Sequence, residues 1–194
     1  NAFFHSSIET ISLPSTVLEL EEGWCFCAFN LKNVTVMPNN PFLKNYDGKY
    51  VIGKSNISSD IYDTYVFAPR NIKKVNITSN INQIDSYSFS GCLIDKISIP
   101  SNVKEIGRGS FYLCQKLKKV EIQTNSELKI IGIYAFYGCP INSVFIPSHI
   151  TQIGDESFQN LKLIEIGENL DFRIIINNSN LNCLNSIIMV PMKL

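Results

Sequence analysis

The 194-residue chain contains little of what nucleic-acid binding, membrane insertion or acid–base chemistry requires. It has two histidines and one tryptophan, and its 17 basic and 17 acidic residues give a net charge of zero. Phosphate binding needs a clustered basic excess, so this balance argues against nucleic acid as the partner. No stretch approaches the run of about 18 apolar residues that a membrane-spanning helix needs, so we expect no direct membrane insertion by this part of the chain.

Motifs of the common enzyme classes are also missing. The sequence has no G-x-S-x-G, no Walker loop and no H-E-x-x-H. His149 falls at a turn position that Asn102 and Thr16 hold elsewhere in the chain, which favours a surface residue over a general base. Cys25 and Cys27 have no second spaced pair beside them, which argues against zinc. We therefore predict that the chain is not an enzyme and has no catalytic residue, no cofactor and no metal site.

What the chain does contain is a repeated order of residues. A phenylalanine follows a small residue at Phe89, Phe111, Phe136 and Phe158, with intervals of 22, 25 and 22 residues. The first three are followed, three positions later, by Cys92, Cys114 and Cys139. This period is typical of short solenoid repeats. Residues 2–17 align with 135–150 without a gap, so residue 1 lies inside a repeat and we expect the sequence to be a fragment of a longer solenoid.

Each repeat contains a short stretch in which polar and apolar residues alternate, which predicts a half-buried strand. The stretches are TISL at 10, NVTV at 33, KVNI at 74, KISI at 96, KKVEI at 118, SVFI at 143 and LIEI at 163. Stacked in parallel, they predict one long sheet. The Ser-Phe-x-x-Cys segment is too short for a free helix and predicts a single helical turn on the opposite side.

The first repeat allows two registers in ELEEGWCFCAF, residues 19–29. Constant spacing from Val17 places Cys25 in the phenylalanine position. Matching the order small, aromatic and cysteine instead places Gly23, Trp24 and Cys27 in the three positions. We favour the second register, because it keeps an aromatic residue in the ladder.

The repeat is interrupted between residues 38 and 71. KYVIGKS and TYVFAPR predict two strands, and the polar NISSD between them predicts their loop, so we expect a β-hairpin that projects from the solenoid. The predicted organisation is leucine-rich-type repeats over 1–37, an inserted hairpin unit over 38–71, repeats over 72–166 and a degenerate C-terminal repeat over 167–194.

These repeats resemble a known family. Two segments contain almost the complete repeat motif and are similar to the BspA-like branch of the leucine-rich repeats: KISIPSNVKEIGRGSFYLC (96–114) and SVFIPSHITQIGDESF (143–158). The insertion resembles the unit typical of trichomonad members, and the resemblance spans residues 2–166. Together with the strand and turn patterns above, it leads us to predict an α/β solenoid with a parallel sheet on one face, short helical turns on the other and an inserted β-hairpin. It also implies a cell-surface or extracellular role in adhesion to host cells or extracellular matrix.

The outward residues of the predicted sheet form the candidate binding surface, since solenoids present such arrays to partners. By alternation they are Thr10, Ser12, Asn33, Thr35, Lys74, Asn76, Lys96, Ser98, Lys119, Glu121, Ser143, Phe145, Leu163 and Glu165; we call this set the strand face. The partner-binding residues selected from it are Lys74, Lys96, Lys119, Glu121, Ser143, Phe145 and Glu165. The lysines also suit a merely solubilising role, whereas Phe145 on a polar face resembles a binding anchor.

Two further residue classes bear on the compartment. N-x-S/T sequons for N-glycosylation occur at Asn33, Asn56, Asn76 and Asn177, barely above the number that chance predicts. The repeated cysteines stand where a small apolar residue is wanted, and we favour reduced core thiols over disulfides.

Together these features favour a non-catalytic module that binds a protein or glycan ligand at the cell surface. The reduced cysteines support the alternative, a cytoplasmic leucine-rich repeat scaffold for protein–protein interaction. A purely structural spacer in a repetitive coat is a third interpretation.

Overall fold

The computed structural model describes residues 2–159 and 161–167 with their side chains, and the backbone of Ser186–Met189. The degenerate repeat predicted for 167–194 lies outside the described residues, apart from Gly167 and that last strand. The strands are β1 Thr10–Leu13, β2 Asn33–Val36, β3 Leu43–Tyr46, β4 Tyr50–Gly53, β5 Thr64–Phe67, β6 Gln83–Ile84, β7 Lys96–Ile99, β8 Glu105–Ile106, β9 Lys119–Ile122, β10 Ile130–Ile131, β11 Ser143–Ile146, β12 Gln152–Ile153, β13 Leu163–Ile166 and β14 Ser186–Met189.

Six of the seven strands predicted from alternation are confirmed, as β1, β2, β7, β9, β11 and β13. In β2, β7 and β9 the burial of the side chains alternates as the letters do. The strand predicted at 74–77 is wrong, although Ile77 is buried in the core. One reason is that the side chain of Asn45 occupies backbone groups of β2 that a further parallel strand would pair with. Val36 N–H donates to Asn45 Oδ1 at 2.8 Å, and Asn45 Nδ2 donates to Val34 O at 2.7 Å.

The helical turns predicted opposite the strands are wrong, and with them the α/β class, because the described part of the chain contains no helix. Within one such segment, Cys114 N–H donates to Phe111 O, three residues back, at 3.2 Å. Phe111 N–H instead donates to Ala135 O of the next repeat at 2.8 Å. Both ends have a left-handed φ of 54°, at Gly109 and Leu113. An α-helix needs successive N–H groups to bond four residues back, so this segment is a chain of tight turns and the molecule is a β-solenoid.

The parallel strands form three ladders instead of the one long sheet that we predicted. β1 pairs with β2, β7 with β9, and β11 with β13, which also pairs with β14. β9 and β11 are in contact but share no ladder. The strand face is therefore a row of three ladders.

A second sheet, which the sequence did not predict, runs in the order β12-β10-β8-β6-β5-β4-β3. Its two-residue strands are too short to show alternation, but their buried residues stand in register: Ile84, Ile106, Ile131 and Ile153. A glycine follows three of them because the preceding repeat comes very close. A Cβ on Gly107 would lie 2.8 Å from Ser86 N, and one on Gly132 would lie 2.6 Å from Arg108 N.

The two strands predicted in the insert are confirmed as the antiparallel pair β4 and β5, and β3 adds a third strand. The hairpin does not project from the solenoid, however. All residues of β4 and β5 are buried, and β5 pairs in parallel with β6 of the next repeat. Tyr65 and Phe67 on β5 are both 0% exposed, and their rings lie 5.4 Å from Phe89 and 6.1 Å from Trp24. The insert is thus a layer of the stack that joins the repeats on either side.

Asn40 connects the insert to the first repeat. Its Nδ2 donates to Val17 O at 2.8 Å and Pro14 O at 3.2 Å, and its Oδ1 accepts from Phe42 N–H at 2.9 Å and Leu43 N–H at 2.8 Å. The residue is 7% exposed, so water cannot readily replace these bonds. Asn40 therefore fixes the start of β3 against the turn that follows β1.

We expect Asn40→Ala to lower the free energy of unfolding by about 2 kcal/mol, because it leaves buried backbone groups without a partner. Urea denaturation monitored by circular dichroism measures this change. Asn30→Ala, at an exposed site, is the matched control and should have almost no effect. Equal losses in the two variants would show that Asn40 does not organise the insert.

The core is a ladder of stacked phenyl rings. Centroid distances are 5.2 Å from Phe89 to Phe111, 5.0 Å from Phe111 to Phe136 and 5.1 Å from Phe136 to Phe158, with interplanar angles of 17°, 2° and 12°. These rings are at most 3% exposed. Tyr65 continues the ladder into the insert, so one core cluster extends from the insert to β13.

The register that we favoured for the first repeat is wrong. Left-handed φ angles of 73° at Gly23 and 57° at Cys27 mark the same two turn positions that flank phenylalanine in later repeats. Cys25 stands midway between them, in the phenylalanine position, and Ala28 N–H donates to Cys25 O at 3.1 Å as the later cysteines do to phenylalanine. Trp24 is nevertheless buried, and so the tryptophan beside the ladder position supplies the volume that Cys25 lacks.

Candidate functional site

The strand face is displayed by β1, β2, β7, β9, β11 and β13, whose outward side chains are polar or half-buried. Parallel pairing places selected residues side by side, with Lys96 opposite Lys119 and Ser98 opposite Glu121. Because a strand exposes every second residue on one side, these four side chains form one patch across β7 and β9. The patch offers both charge signs and a hydroxyl to a partner.

An ion pair shapes this patch. Lys119 Nζ lies 2.6 Å from Glu121 Oε1, and this hydrogen bond lowers the pKa of the Glu121 carboxyl. Both side chains are exposed, so the pair contributes little to stability and both groups can exchange partners. Lys74, which we expected to stack with the other two lysines, is exposed but lies outside any strand. Strand register therefore pairs only Lys96 with Lys119.

Phe145 lies on β11, on the outward side of the strand face. Its ring is half-buried, and the residue pairs with Glu165 on β13. Two residues earlier on the same side of β11, Ser143 pairs with Leu163 on β13, which is also half-buried. The structure thus places a partly accessible aromatic and an aliphatic side chain on adjacent strands, beside a carboxylate and a hydroxyl.

Three of the four sequons lie on described, exposed sites. Asn33 is opposite Thr10 in the first ladder, and Asn76 is in the segment between the insert and β7. Asn56 is in the loop between β4 and β5, where its Oδ1 accepts from Ser58 N–H at 2.9 Å. Asn177 lies outside the described residues.

Five described cysteines are free thiols, and all are buried: Cys25, Cys27, Cys92, Cys114 and Cys139. The thiols of Cys114 and Cys139 donate to the carbonyls of Phe89 and Phe111, each at 3.1 Å. Burial raises the pKa of Cys92 and Cys114, which keeps these thiols protonated and unreactive. Cys114 and Cys139 therefore each link their own turn to the phenylalanine of the preceding turn, whereas the Cys92 thiol donates to Pro69 O of the insert at 3.4 Å.

The histidine that we considered as a general base lies beside a buried serine. His149 Nε2 lies 3.2 Å from Ser126 Oγ, and burial lowers the pKa of the imidazole. Within the described ranges, no group of three or more His, Cys, Asp or Glu side chains could hold a metal ion. Nor does any helix of those residues have the length and apolarity to cross a membrane.

Sequence reasoning missed an aromatic row on the turn side. Its members follow the buried ladder position by one residue and are only partly covered: Phe4, Phe26, Tyr112 and Tyr137. Ring centroids lie 5.5, 5.2 and 5.1 Å apart along the row. The signal was present in the sequence as an aromatic after the ladder residue, but the correct register of the first repeat was needed to see it.

The chain belongs to the BspA-type leucine-rich repeat family, whose model matches six copies over residues 1–59 and 52–165. A leucine-rich cell surface protein of Faecalibacterium prausnitzii has a similar structure, with a TM-score of 0.79, 23% identity and coverage of 99% of this chain and 50% of that one.

The pneumococcal vaccine antigen PcpA is also similar, with a TM-score of 0.76, 20% identity and coverage of 96% and 46%. At these identities the likeness shows the fold alone, and this chain spans about half the length of each of the two. No curated protein matches the chain significantly.

Proposed function

We propose that the chain is a non-catalytic binding module of a cell-surface protein, which adheres to host cells or extracellular matrix through its strand face. The observation that carries the proposal is the patch on β11 and β13, where Phe145 and Leu163 lie beside Glu165 and Ser143. Partly exposed aromatic residues with a polar surround are typical of interface hot spots.

Two further observations support this proposal. The rigid stack of buried rings holds the strands in register, so the outward side chains are preorganised for an extended protein or glycan ligand. Structures similar to this one include a protein described as a cell surface protein and one described as a vaccine antigen.

Phe145→Asp should weaken binding of the fluorescently labelled chain to cultured epithelial cells, or to immobilised fibronectin, laminin and collagen, by about 10- to 30-fold. This is the size of effect expected for loss of a hot-spot aromatic. Flow cytometry and biosensor titrations measure it. Ile133→Asp, at an exposed aliphatic residue off the strand face, is the control and should bind normally.

Thermal melts establish that both variants fold, and Phe145→Ala repeats the test without a new charge. Unchanged binding by folded Phe145→Asp and Phe145→Ala would contradict the proposal. Deleting the insert is unsuitable as a test, because its strands are part of the core.

The row of free thiols supports a second candidate, an intracellular scaffold of the same fold. An antibody against residues 72–166, applied to intact and permeabilised source cells, separates the two. Signal on intact cells supports the surface module. Signal only after permeabilisation would favour the scaffold and make the sequons irrelevant.

A further inference from the structure

The insert leaves a notch on the turn side of the solenoid. The repeats before and after it have left-handed residues on both sides of Cys25 and Phe89, whereas the layer between them has a turn at residues 69–72, closed by Ile72 N–H donating to Pro69 O at 3.2 Å, without such residues. The resulting cavity has a volume of about 350 Å³. We call it the notch; its walls include Phe29, Lys32, Arg70, Leu93, Leu113 and Gln115.

One part of the notch wall is apolar and already formed. Phe29 is 40% exposed and Leu93 is 42% exposed, although both are large hydrophobic residues. The ring of Phe29 lies so close to Gly91 that a Cβ there would clash with it. Glycine at position 91 therefore lets Phe29 pack across the missing layer. A cavity of this size with exposed apolar walls fits one large side chain.

The floor of the notch contains a buried cation. Arg70 is 2% exposed, and its guanidinium donates to Ser88 O at 2.9 Å, to Tyr87 O at 3.3 Å and to Cys25 Sγ at 3.0 Å. All these partners are uncharged, and the Nε atom has no partner. In the described part of the chain no carboxylate forms a salt bridge with Arg70, so its charge is left to act on the notch above it.

The rim adds a second cation and two amides. Lys32 Nζ pairs with Glu9 at 2.7 Å, but both side chains are exposed and the lysine can turn to another carboxylate. Asn71 and Gln115 are exposed at the same rim. Their side-chain amides can donate a hydrogen bond to a peptide carbonyl and accept one from a peptide N–H. A simple aliphatic acid has no peptide group and would leave these hydrogen bonds unmade.

We propose that the notch binds the C-terminal residue of a polypeptide partner, with an apolar side chain between Phe29 and Leu93 and the α-carboxylate beside Lys32. The apolar walls match the side chain, the uncompensated charge of Arg70 favours the anion, and the rim amides match the last peptide group. This site is separate from the strand face, so a partner can occupy it without contacting Phe145.

The probe is a fluorescein-labelled peptide, Gly-Ser-Gly-Leu-Phe, with either a free C-terminal carboxylate or a C-terminal amide, titrated with the chain by fluorescence anisotropy. We expect saturable binding of the acid and a loss of about 10-fold or more for the amide. Leu93→Asp and Lys32→Gln should each weaken binding of the acid. Ile133→Asp and Phe145→Asp should leave it unchanged.

The proposal is overturned if the acid shows no saturable binding, if acid and amide bind equally, or if Ile133→Asp weakens binding as much as Leu93→Asp. Octanoate is the competitor that distinguishes a free amphiphile from a peptide. Displacement of the peptide by octanoate at equal concentration would overturn the polypeptide assignment. Failure of Phe145→Asp to affect adhesion would leave these results intact, so the two proposals fail separately.

Discussion

Replacing Phe136 by alanine should lower the free energy of unfolding by about 4 kcal/mol, the middle of the range for core phenylalanines. The ring is 1% exposed and stacks on both neighbours, Phe111 at 5.0 Å and Phe158 at 5.1 Å. Alanine would leave a cavity and remove two ring contacts from adjacent layers at once. Because each repeat contacts only its neighbours, hydrogen exchange should increase mainly in the turns on either side of residue 136.

Tyr137→Ala is the matched control for this prediction. Its ring is half-buried on the outside of the same turn and stacks on Tyr112 at 5.1 Å. We expect a loss of about 1 kcal/mol, since little buried volume is removed. Urea denaturation compares the two variants directly. A loss for Phe136→Ala no larger than that for Tyr137→Ala would show that the phenyl ladder does not hold the repeats together.

Arg70→Met is the second variant with a large expected effect, a loss of about 3 kcal/mol. Methionine has a similar length and can keep the contact with the ring of Phe67, over which the guanidinium now lies at 5.0 Å. It cannot donate hydrogen bonds, so Tyr87 O and Cys25 Sγ each lose a donor. The layers on either side of the insert should therefore separate first on denaturation.

Arg108→Met is the control, because Arg108 is exposed and donates one hydrogen bond, from Nε to Tyr87 Oη at 3.1 Å. It should cost less than about 1 kcal/mol. Buried charges can sometimes be replaced by apolar residues without loss. A neutral or stabilising Arg70→Met would therefore contradict the role given to the guanidinium in joining the layers.

The repeat architecture could be predicted because its signals recur in every unit. The alternation in KVEI at 119–122 predicts the buried residues Val120 and Ile122 by itself, and six such stretches make the assignment secure. The cysteine position was also predicted, since a small residue that follows a ladder phenylalanine at constant spacing must face the core. These are local patterns, and the structure reproduces them.

Features that depend on pairing between distant residues could not be predicted. At the strand that is missing at 74–77, the edge of β2 is closed by the side-chain amide of Asn45, and such a contact cannot be read from local alternation. The turns around Phe111 look like helix fragments in sequence, but their N–H groups bond to another repeat. Two-residue strands such as β8 contain too few residues to show an alternation of polar and apolar side chains.

The outward positions of the strands were predicted in part, and their role in binding stays a prediction. Alternation identified the outward positions of the strands, but it could not show that Lys74 lies outside a strand or that Phe145 is half-buried beside Leu163. The notch could not be predicted from the sequence, because it depends on how the turn at residues 69–72 differs from the turns around Cys25 and Phe89. The segment APRN at 68–71 has the composition of an exposed loop, so its arginine would be expected on the surface. Arg70 is instead only 2% exposed.

The most direct test of the strand-face proposal uses the unmodified chain and two monovalent antibody fragments. One fragment loses binding to Lys96→Glu and therefore recognises the strand face; the other loses binding to Ile133→Asp and recognises a surface away from it. If the strand face is the adhesive surface, saturating amounts of the first fragment abolish attachment to epithelial cells or matrix proteins and the second leaves attachment intact. Attachment that survives the first fragment and is blocked by the second would contradict the proposal.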